Sequence, residues 1–336
     1  MEIFHKAQDL PDDWEYNIGD NLYLKKDYLN IAEKMDASQK TYYLFRDNNG
    51  FIDTQFLICK TADNNIAMFT PFNIPVLMNS VYYPFTLSKP AGIFGVGTKL
   101  QTENFLKSLK GFTMILNVDK DYVLEGFSKG LILPKCILKI SWNTFDDYIS
   151  ELRSGYRRRY NIAFRKSENL NCFILQNNMD FNEEMYNLYL DVYNNAEYKL
   201  GKVSIDYFRE KRCIIIVLKN DKGVQGFAQL SKNCDELIFE FVGLNKKNVM
   251  KYDTYIRLLL EIVRYGIEQG FSTIDLGQTT DEAKLKLGSR YKMLYVLIRH
   301  SNPVINKILK LVTPLLEYKP LNENQFHVFK KIKKEG

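Results

Sequence analysis

The fold is decided by the stretch CIIIVLKNDKGVQGFAQLSKNCDELIFEFVGL, residues 213–244. It holds three apolar runs, at 213–218, 224–230 and 237–244, which are separated by the short polar turns KNDKG and SKNCDE. Runs of this length that are rich in Ile, Val and Phe and bounded by turn residues predict strands. Because the turns are short, we expect three consecutive antiparallel strands.

The sequence after these runs predicts a helix, a strand, a short helix and a last strand. Residues 250–269 place apolar side chains on one helical face, and Gly270 stands where a C-terminal cap belongs. We expect strands at 271–276 and 291–299, with the short helix at 280–287 between them.

The residues before 140 are also rich in predicted strands. TYYLFR at 41–46 and FIDTQFLICK at 51–60 flank an Asn-Asn-Gly turn, which indicates a hairpin. The chain has 336 residues, more than the roughly 100–200 of one ordinary domain. We therefore expect an α+β or α/β protein with domains at 1–140 and 141–320 and a basic tail at 321–336.

Composition excludes several classes of protein. Hydrophobic residues make up 46% of the chain, too many for a disordered protein. No apolar run reaches the roughly 18–20 residues of a membrane span, and the first residues lack a signal-peptide pattern, so we expect a cytoplasmic protein. The five cysteines are scattered and there are only three histidines, which argues against disulfides and a metal site. The net charge of +6 permits an anionic partner without demanding one.

Three segments of the second half resemble a known family. They are LRSGYRRRYNIAFRKSE (152–168), NEEMYNLYLDVYNNAEY (182–198) and IDLGQTTDEAKLKLGSRYKMLYVLIRHSNPVINKIL (274–309). Together with the order of elements, they look like the FemABX-type acyltransferases, a double-GNAT group of the acyl-CoA N-acyltransferase superfamily. The resemblance covers about 140–310 and implies two GNAT-like mixed-sheet domains, of which the N-terminal copy is diverged.

The resemblance also implies an activity. Members of this group transfer an acyl or aminoacyl group from acyl-CoA or aminoacyl-tRNA to an amine, commonly in making cell-envelope polymers or modified lipids. We therefore expect an N-acyltransferase with acyl-CoA as co-substrate, no metal, and a cell-envelope, sugar or lipid precursor as acceptor. The alternatives are an aminoacyl-tRNA-dependent enzyme of the peptidoglycan cross-bridge type and a catalytically inactive GNAT-fold binding module.

The loop NKKNVMKYD at 245–253 is the expected donor site. Simpler GNAT enzymes carry at this place a Gly-rich loop whose backbone N–H groups hold the CoA pyrophosphate. This loop has no glycine, so its lysines would have to supply the positive charge instead. The residues expected to contact the cofactor are Gly243, Leu244, Lys246, Lys247, Lys251 and Tyr252.

Glu240 is the predicted general base. It lies in the middle of LIFEFVGL, where strand alternation puts it on the face of Ile238, Val242 and Leu244. A carboxylate on an apolar face has a raised pKa that suits proton transfer near neutrality. A Glu that is paired with a buried Arg or points to a solvated edge is the alternative. Gly243, near the end of the strand, marks either a bulge that exposes a backbone N–H or a site of close packing.

Four further residues are predicted to act in the site. The resemblance matches Lys284 to the family's lysine in the helix after the strand, and implies contact with an anionic substrate or the reacting carbonyl; a solvated helical face is the alternative. Tyr255, at the start of the long helix, is expected to be an acid toward the leaving thiolate; a structural role is the alternative in a chain with 22 tyrosines. Asp275 and Gln278 flank Gly277 at the carboxyl end of a strand, where open sheets place ligands. A role in capping the next helix is the alternative for this pair.

Arg158 belongs to an Arg-rich helix that is predicted to begin at Thr144. We expect Arg158 to bind substrate, as part of a phosphate clamp or, with the interleaved tyrosines, in contact with tRNA. A solvated helical face is the alternative.

The segment NPVINKILKLVTPLL at 302–316 predicts an amphipathic helix with Pro303 in its first turn. Its apolar face is expected to dock on its own domain. The alternative is peripheral contact with the inner face of the membrane, aided by the basic residues FKKIKK at 329–334.

Overall fold

The computed structural model describes residues 1–16, 18, 21–35, 39–61, 77–81, 92–95, 99–197 and 202–330. The end of the basic tail, 331–336, lies outside these residues. The strands are β1 (Glu2–Phe4), β2 (Gln39–Arg46), β3 (Ile52–Thr61), β4 (Met78–Val81), β5 (Ile93–Gly95), β6 (Phe112–Val118), β7 (Ser128–Lys139), β8 (Asn171–Ile174), β9 (Ile214–Asn220), β10 (Gly223–Asn233), β11 (Glu236–Leu244), β12 (Thr273–Asp275) and β13 (Arg290–His300). The α-helices are α1 (Lys26–Met35), α2 (Lys99–Ser108), α3 (Phe145–Glu151), α4 (Ser154–Lys166), α5 (Glu183–Asn195), α6 (Ile205–Glu210), α7 (Val249–Tyr252), α8 (Thr254–Glu268), α9 (Asp281–Leu285) and α10 (Pro303–Val312).

The chain forms two compact units. The first comprises residues 1–134 and 293–320, and the second comprises 135–292 together with the chain from Leu321 onwards. Segment 293–320, which the sequence-based division assigns to the C-terminal domain, therefore belongs to the first unit. The exact extent of the two domains predicted from the sequence stays a prediction.

The second unit contains the three predicted antiparallel strands. Its sheet has the order β7-β12-β11-β10-β9-β8, with β9, β10 and β11 antiparallel to one another. Helix α8 then connects β11 to β12, which is parallel to β11. The last neighbour of β12 is β7, which is antiparallel to it and comes from an earlier part of the chain.

The first unit repeats this connectivity. Its sheet has the order β1-β2-β3-β4-β6-β13, and β2, β3 and β4 are antiparallel; β2 and β3 form the predicted hairpin. Helix α2 precedes β6, which is parallel to β4, and β13 completes the sheet antiparallel to β6. Each unit is thus a mixed sheet of one plan, completed by a strand from the other half of the chain.

Helix α8 forms the centre of the core of the second unit. Its buried apolar side chains pack against the sheet and against α3 and α4. Gly270, with φ at 72°, follows the helix end as predicted. The predicted single helix 250–269 is broken at Asp253, whose left-handed φ of 48° separates α7 from α8. Within the described ranges, no helix is both long enough and apolar enough to cross a bilayer.

Candidate functional site

The site lies where β11 and β12 part. The two strands pair from Glu236–Thr273 to Ile238–Asp275 and no further, although β11 runs on to Leu244. No other strand in the described part of the chain pairs with this edge of β11. Backbone groups must be satisfied by some partner, so this edge is suited to hold an extended ligand between the two strands.

Asp275 fixes the turn that follows β12. Its carboxylate is fully buried; one oxygen lies 2.7 Å from Lys135 Nζ, and the other accepts a hydrogen bond of 2.8 Å from the Gly277 backbone N–H. Gly277 has a φ of 72°, which glycine adopts without strain. A side chain at Gly277 would lie 3.3 Å from the carbonyl oxygen of Phe239 and 4.0 Å from Lys284 Nζ. Asp275 therefore positions this turn against β11.

The next residues of the turn are strained. Thr279 and Thr280 have φ values of 63° and 52°. Left-handed backbone is unfavourable for β-branched residues and costs on the order of 1–3 kcal/mol each. Such strain persists only where the surroundings impose it, and it is common in active sites. Here the strained pair leads directly into α9, which carries Lys284.

Lys284 is a buried lysine with an incomplete set of partners for a cation. Its side chain projects from α9 and its residue is 3% exposed. Nζ donates a hydrogen bond of 2.6 Å to the carbonyl oxygen of Gln278 and lies 6.0 Å from the centre of the Phe239 ring. Removal from water lowers the pKa of Lys284 to about 8, although the charges of Asp281 and Asp275 oppose this change.

Other titratable groups surround this lysine. Asp281 accepts a hydrogen bond of 2.9 Å from the Tyr291 hydroxyl. Cys136 is fully buried, and burial raises the pKa of its thiol to about 12. Burial also raises the pKa of Tyr255, whose hydroxyl interacts with Thr280. Tyr255 therefore stays protonated near neutrality and can serve as a donor.

The predicted environment of Glu240 is wrong, because β11 contains a β-bulge. Gln229 pairs with Phe241 and Leu230 with Phe239, so Glu240 has no opposite residue. Strand alternation changes phase at such a bulge. As a result Val242 and Leu244 pack in the same core as Leu237 and Phe239, whereas Glu240 points elsewhere.

Glu240 instead forms an ion pair with Lys211. The two Glu240 oxygens lie 2.8 and 2.6 Å from Lys211 Nζ, and the side chains are 5% and 2% exposed. The same ammonium group donates a hydrogen bond of 2.9 Å to Tyr207. A carboxylate held in this way is not on a purely apolar face, so the argument that made it a base no longer applies; its role in catalysis stays a prediction.

Gly243 occupies a site of close packing. A side chain there would meet the Phe227 ring at 2.1 Å and Cβ of Leu188 at 3.0 Å. The bulge predicted for Gly243 lies three residues earlier, at Glu240. Gly243 is therefore explained by the ring of Phe227 on the neighbouring strand.

The loop 245–253 separates into exposed and buried parts. Lys246, Lys247 and Lys251 are exposed. Tyr252 is 7% exposed, and its hydroxyl accepts a hydrogen bond of 3.4 Å from the side-chain amide of Asn220. Leu244 packs against the core. At the start of α8 stands the carboxylate of Asp253, 3.1 Å from Lys166 Nζ. A carboxylate here competes with an anionic ligand for the positive end of the helix.

The Arg-rich helix is packed beside α9. The hydroxyl of Tyr148 donates a hydrogen bond of 3.0 Å to the Leu287 carbonyl, and Tyr160 donates one to the Lys286 carbonyl. Its predicted course is broken after Glu151, which separates α3 from α4. Arg158 and Arg159 are exposed on α4. The tyrosines therefore anchor the helix, and its arginines face solvent.

The structure brings together part of the predicted site. Asp275, Gln278, Lys284 and Tyr255 lie around the turn after β12, while the side chain of Glu240 is committed to Lys211. The sequence reasoning missed Lys135, Cys136, Asp281 and Tyr291. Among the described residues, no three side chains of His, Cys, Asp or Glu are placed to hold a metal ion.

The architecture defines a class of fold. Two mixed-sheet units, each with three antiparallel strands, a helix and a parallel strand, form a tandem GNAT fold, the acyl-CoA N-acyltransferase fold. FemX matches with a TM-score of 0.53 at 8% identity, over 92% of this chain and 100% of that one. L-PGS from Bacillus licheniformis matches with a TM-score of 0.52 at 15% identity, over 93% of this chain and 98% of that one.

A third structure agrees. The C-terminal domain (DUF2156) of a provisionally named lysylphosphatidylglycerol synthetase from Agrobacterium fabrum has a TM-score of 0.51 at 11% identity, over 92% of each chain. No family model matches the chain, and neither does any curated protein. The likeness at these identities is one of fold, and the FemABX subtype stays a prediction.

We expect Glu240→Gln to destabilise the protein by about 3–5 kcal/mol, because it leaves the Lys211 ammonium buried without its counter-charge. The free energy of unfolding from denaturant titration measures this. Glu240→Gln combined with Lys211→Met, which removes both charges, is the matched control and should recover most of the loss. If Glu240→Gln keeps full stability but loses activity, the residue is catalytic after all.

We expect the burial of Lys284 to make stability depend on pH. Its folded pKa of about 8 lies below the ordinary lysine value of 10.5, so unfolding between these pH values takes up a proton and stability rises with pH across this interval. The difference corresponds to about 3 kcal/mol. Lys284→Met should remove this rise in denaturant titrations at several pH values, with Lys286→Met, at the half-buried residue that caps the end of α9, as the control. An unchanged pH dependence in Lys284→Met would contradict the buried state.

Proposed function

We propose that the protein is an acyltransferase that moves an acyl group from an activated ester or thioester to an amine. The observation that carries the proposal is Lys284, a buried lysine beside the gap between β11 and β12. A lysine is rarely buried without a carboxylate partner unless it serves a purpose. The tandem GNAT fold, which is that of the acyl-CoA N-acyltransferases, supports the same activity.

The proposed reaction follows from the chemistry of the carbonyl. The acceptor amine attacks the acyl carbon, the new C–N bond forms, and the carbonyl oxygen becomes negative. Lys284, as an ammonium group, stabilises this oxygen, which is the largest single contribution in many acyl transfers. The bond to the leaving sulfur or oxygen then breaks as that atom takes a proton, and the extra proton of the amine passes to water and returns to the group that donated. The protonated Tyr255 is the proposed donor to the leaving group.

The donor is the second part of the proposal. Acyl-CoA, the donor expected from the sequence, would rely on Lys246, Lys247 and Lys251, which are exposed and lie near the start of α8. The Asp253 carboxylate, paired with Lys166, occupies that helix start and competes with a pyrophosphate for it. This favours the second candidate, an aminoacyl-tRNA donor whose phosphates contact the exposed Arg158 and Arg159 of α4.

The acceptor is proposed only by class. The resemblance of the sequence to envelope-related acyltransferases supports an amine on a cell-envelope, sugar or lipid precursor. Asp275 and Gln278 would act through the turn, Asp275 by fixing Gly277 and Gln278 by the carbonyl that binds Lys284. The inactive binding module remains the rival of a different class, and it predicts that Lys284 has no effect on turnover because there is none.

The ammonium form of Lys284 predicts an unusual pH profile. With hydroxylamine as acceptor, which is already uncharged near neutrality, kcat/KM should fall as pH rises through about 8, the pKa of Lys284. Lys284→Arg should move this fall to higher pH, and Lys284→Met should lower kcat/KM by about 10²–10³-fold. A rate that instead rises through pH 8 would make the neutral amine a base.

Two matched variants separate the donors. We expect purified protein to transfer from radiolabelled aminoacyl-tRNA, and Arg158→Gln with Arg159→Gln to weaken this use and reduce its salt dependence by about 1–2 in log–log slope. Lys246→Gln with Lys247→Gln and Lys251→Gln should leave it nearly unchanged. If transfer from a panel of acyl-CoA thioesters is found instead and the lysine variant abolishes it, CoA is the donor. Transfer from neither class would leave the binding module.

A further inference from the structure

Helix α10 exposes most of its apolar side chains to solvent. None of its residues is buried, although Val, Ile and Leu make up six of its ten positions. Val304 is 67% exposed, Ile308 54% and Leu311 75%. The exposed apolar surface continues into the following 3₁₀ helix, where Leu315 is 81% exposed. Of the apolar face expected to dock on its own domain, Ile305 and Leu309 are half-buried, whereas Val304, Ile308 and Val312 are exposed, so the expectation holds only in part.

Polar contacts within the first unit hold the helix in this orientation. The Asn306 side chain donates a hydrogen bond of 3.0 Å to the Gly126 carbonyl and accepts one of 3.1 Å from the His300 N–H. Close packing adds to this, because a side chain at Gly130 would meet Thr313 Cγ2 at 2.8 Å. After the helix, the N–H of Tyr318 donates to the Leu131 carbonyl. The inner side thus combines Asn306 and Thr313 with the half-buried Ile305 and Leu309, and the other four apolar residues of the helix are exposed.

The outward residues form a continuous ridge at helical spacing. Side chains three and four positions apart lie above one another on a helix, so they make a single stripe. We call this stripe the outer ridge. It consists of Val304, Ile308, Leu311, Val312 and Leu315.

The ridge is flanked by positive charge. Lys307, Lys310 and Lys319 are exposed beside it. The segment 299–319 contains four Lys or Arg residues and one acidic residue, Glu317. Lysine stems can lie along an apolar surface while the ammonium groups reach a polar layer. The outer ridge and its flanking lysines are complementary to a layer that has an apolar interior and an anionic surface.

The composition and size of the ridge do not favour a protein partner. Protein interfaces concentrate their energy in Trp, Tyr and Arg, and the outer ridge has only aliphatic side chains. The ten residues of α10 span about 15 Å. That is short for the roughly 800 Å² that each partner buries in a stable complex. The interfacial region of a bilayer needs no such area.

We propose that the outer ridge binds the surface of an anionic lipid bilayer, with α10 lying in the plane of the interface and its lysines at the phosphate level. Amphipathic helices with aliphatic and lysine faces bind membranes in this way. Each lysine near an anionic surface strengthens binding by about five-fold. This binding site is in the first unit and does not depend on the proposed transfer reaction.

The test is co-sedimentation of the full chain with vesicles. We expect binding to vesicles of phosphatidylcholine mixed with phosphatidylglycerol, and much weaker binding to pure phosphatidylcholine. Leu311→Glu with Leu315→Glu should lower the partition coefficient at least about tenfold, because each leucine loses its burial. Lys307→Gln with Lys310→Gln should weaken binding to the anionic vesicles alone. The matched control is Phe51→Glu with Met179→Glu, two exposed apolar residues elsewhere, and it should bind like the parent chain.

Three results would overturn the proposal. The first is a parent chain that binds neither kind of vesicle. The second is a control variant that loses as much binding as the ridge variant. The third is light scattering that shows a dimer which Leu311→Glu with Leu315→Glu converts to a monomer, since the ridge would then be covered by a second copy. Circular dichroism and thermal melting of each variant establish that the compared proteins are folded.

Discussion

The candidate site depends on the two contacts of the Asp275 carboxylate. One oxygen pairs with Lys135 of β7, and the other accepts the N–H of Gly277. The first contact fastens β12 to a strand that reaches it from the other half of the chain, and the second bends the chain at the end of β12. Burying a carboxylate costs free energy unless both of its oxygens are hydrogen-bonded. The contact between β12 and β7 and the turn after β12 are therefore stabilised by the same side chain.

The consequence of this turn is the environment of Lys284. Among its described residues the second unit contains three buried lysines; Lys135 is paired with Asp275, and the other two have different partners. Lys211 faces the carboxylate of Glu240 directly, whereas Lys284 faces the carbonyl of Gln278 at the end of a strained loop. A direct ion pair neutralises the charge of a lysine, whereas a carbonyl oxygen leaves much of that positive charge available to a ligand. Of the two, only Lys284 is thus poised to stabilise a new negative charge.

The sequence predicted correctly those features that depend on interactions between residues close in the chain. The antiparallel strands and the glycine after α8 follow from short-range patterns and are confirmed. Glu240 could not be placed, because strand alternation assumes an unbroken ladder and a bulge changes its phase. The Lys135–Asp275 contact joins residues 140 positions apart and has no local signature. Lys284 was found only through the resemblance, since a lysine in a short helix otherwise indicates solvent exposure.

The orientation of helix α10 is a second feature that local sequence patterns do not determine. An amphipathic pattern determines that a helix has an apolar face, but it does not determine which way that face turns. Here the Asn306 side chain bonds backbone groups of Gly126 and His300, and Thr313 packs closely against Gly130, so the helix is anchored while only Ile305 and Leu309 of its apolar residues are half-buried. Apolar surface left in water is unfavourable in proportion to its area. A helix anchored by its polar side therefore gains most from a partner that can cover the other side without competing for those hydrogen bonds, which is what a bilayer surface does.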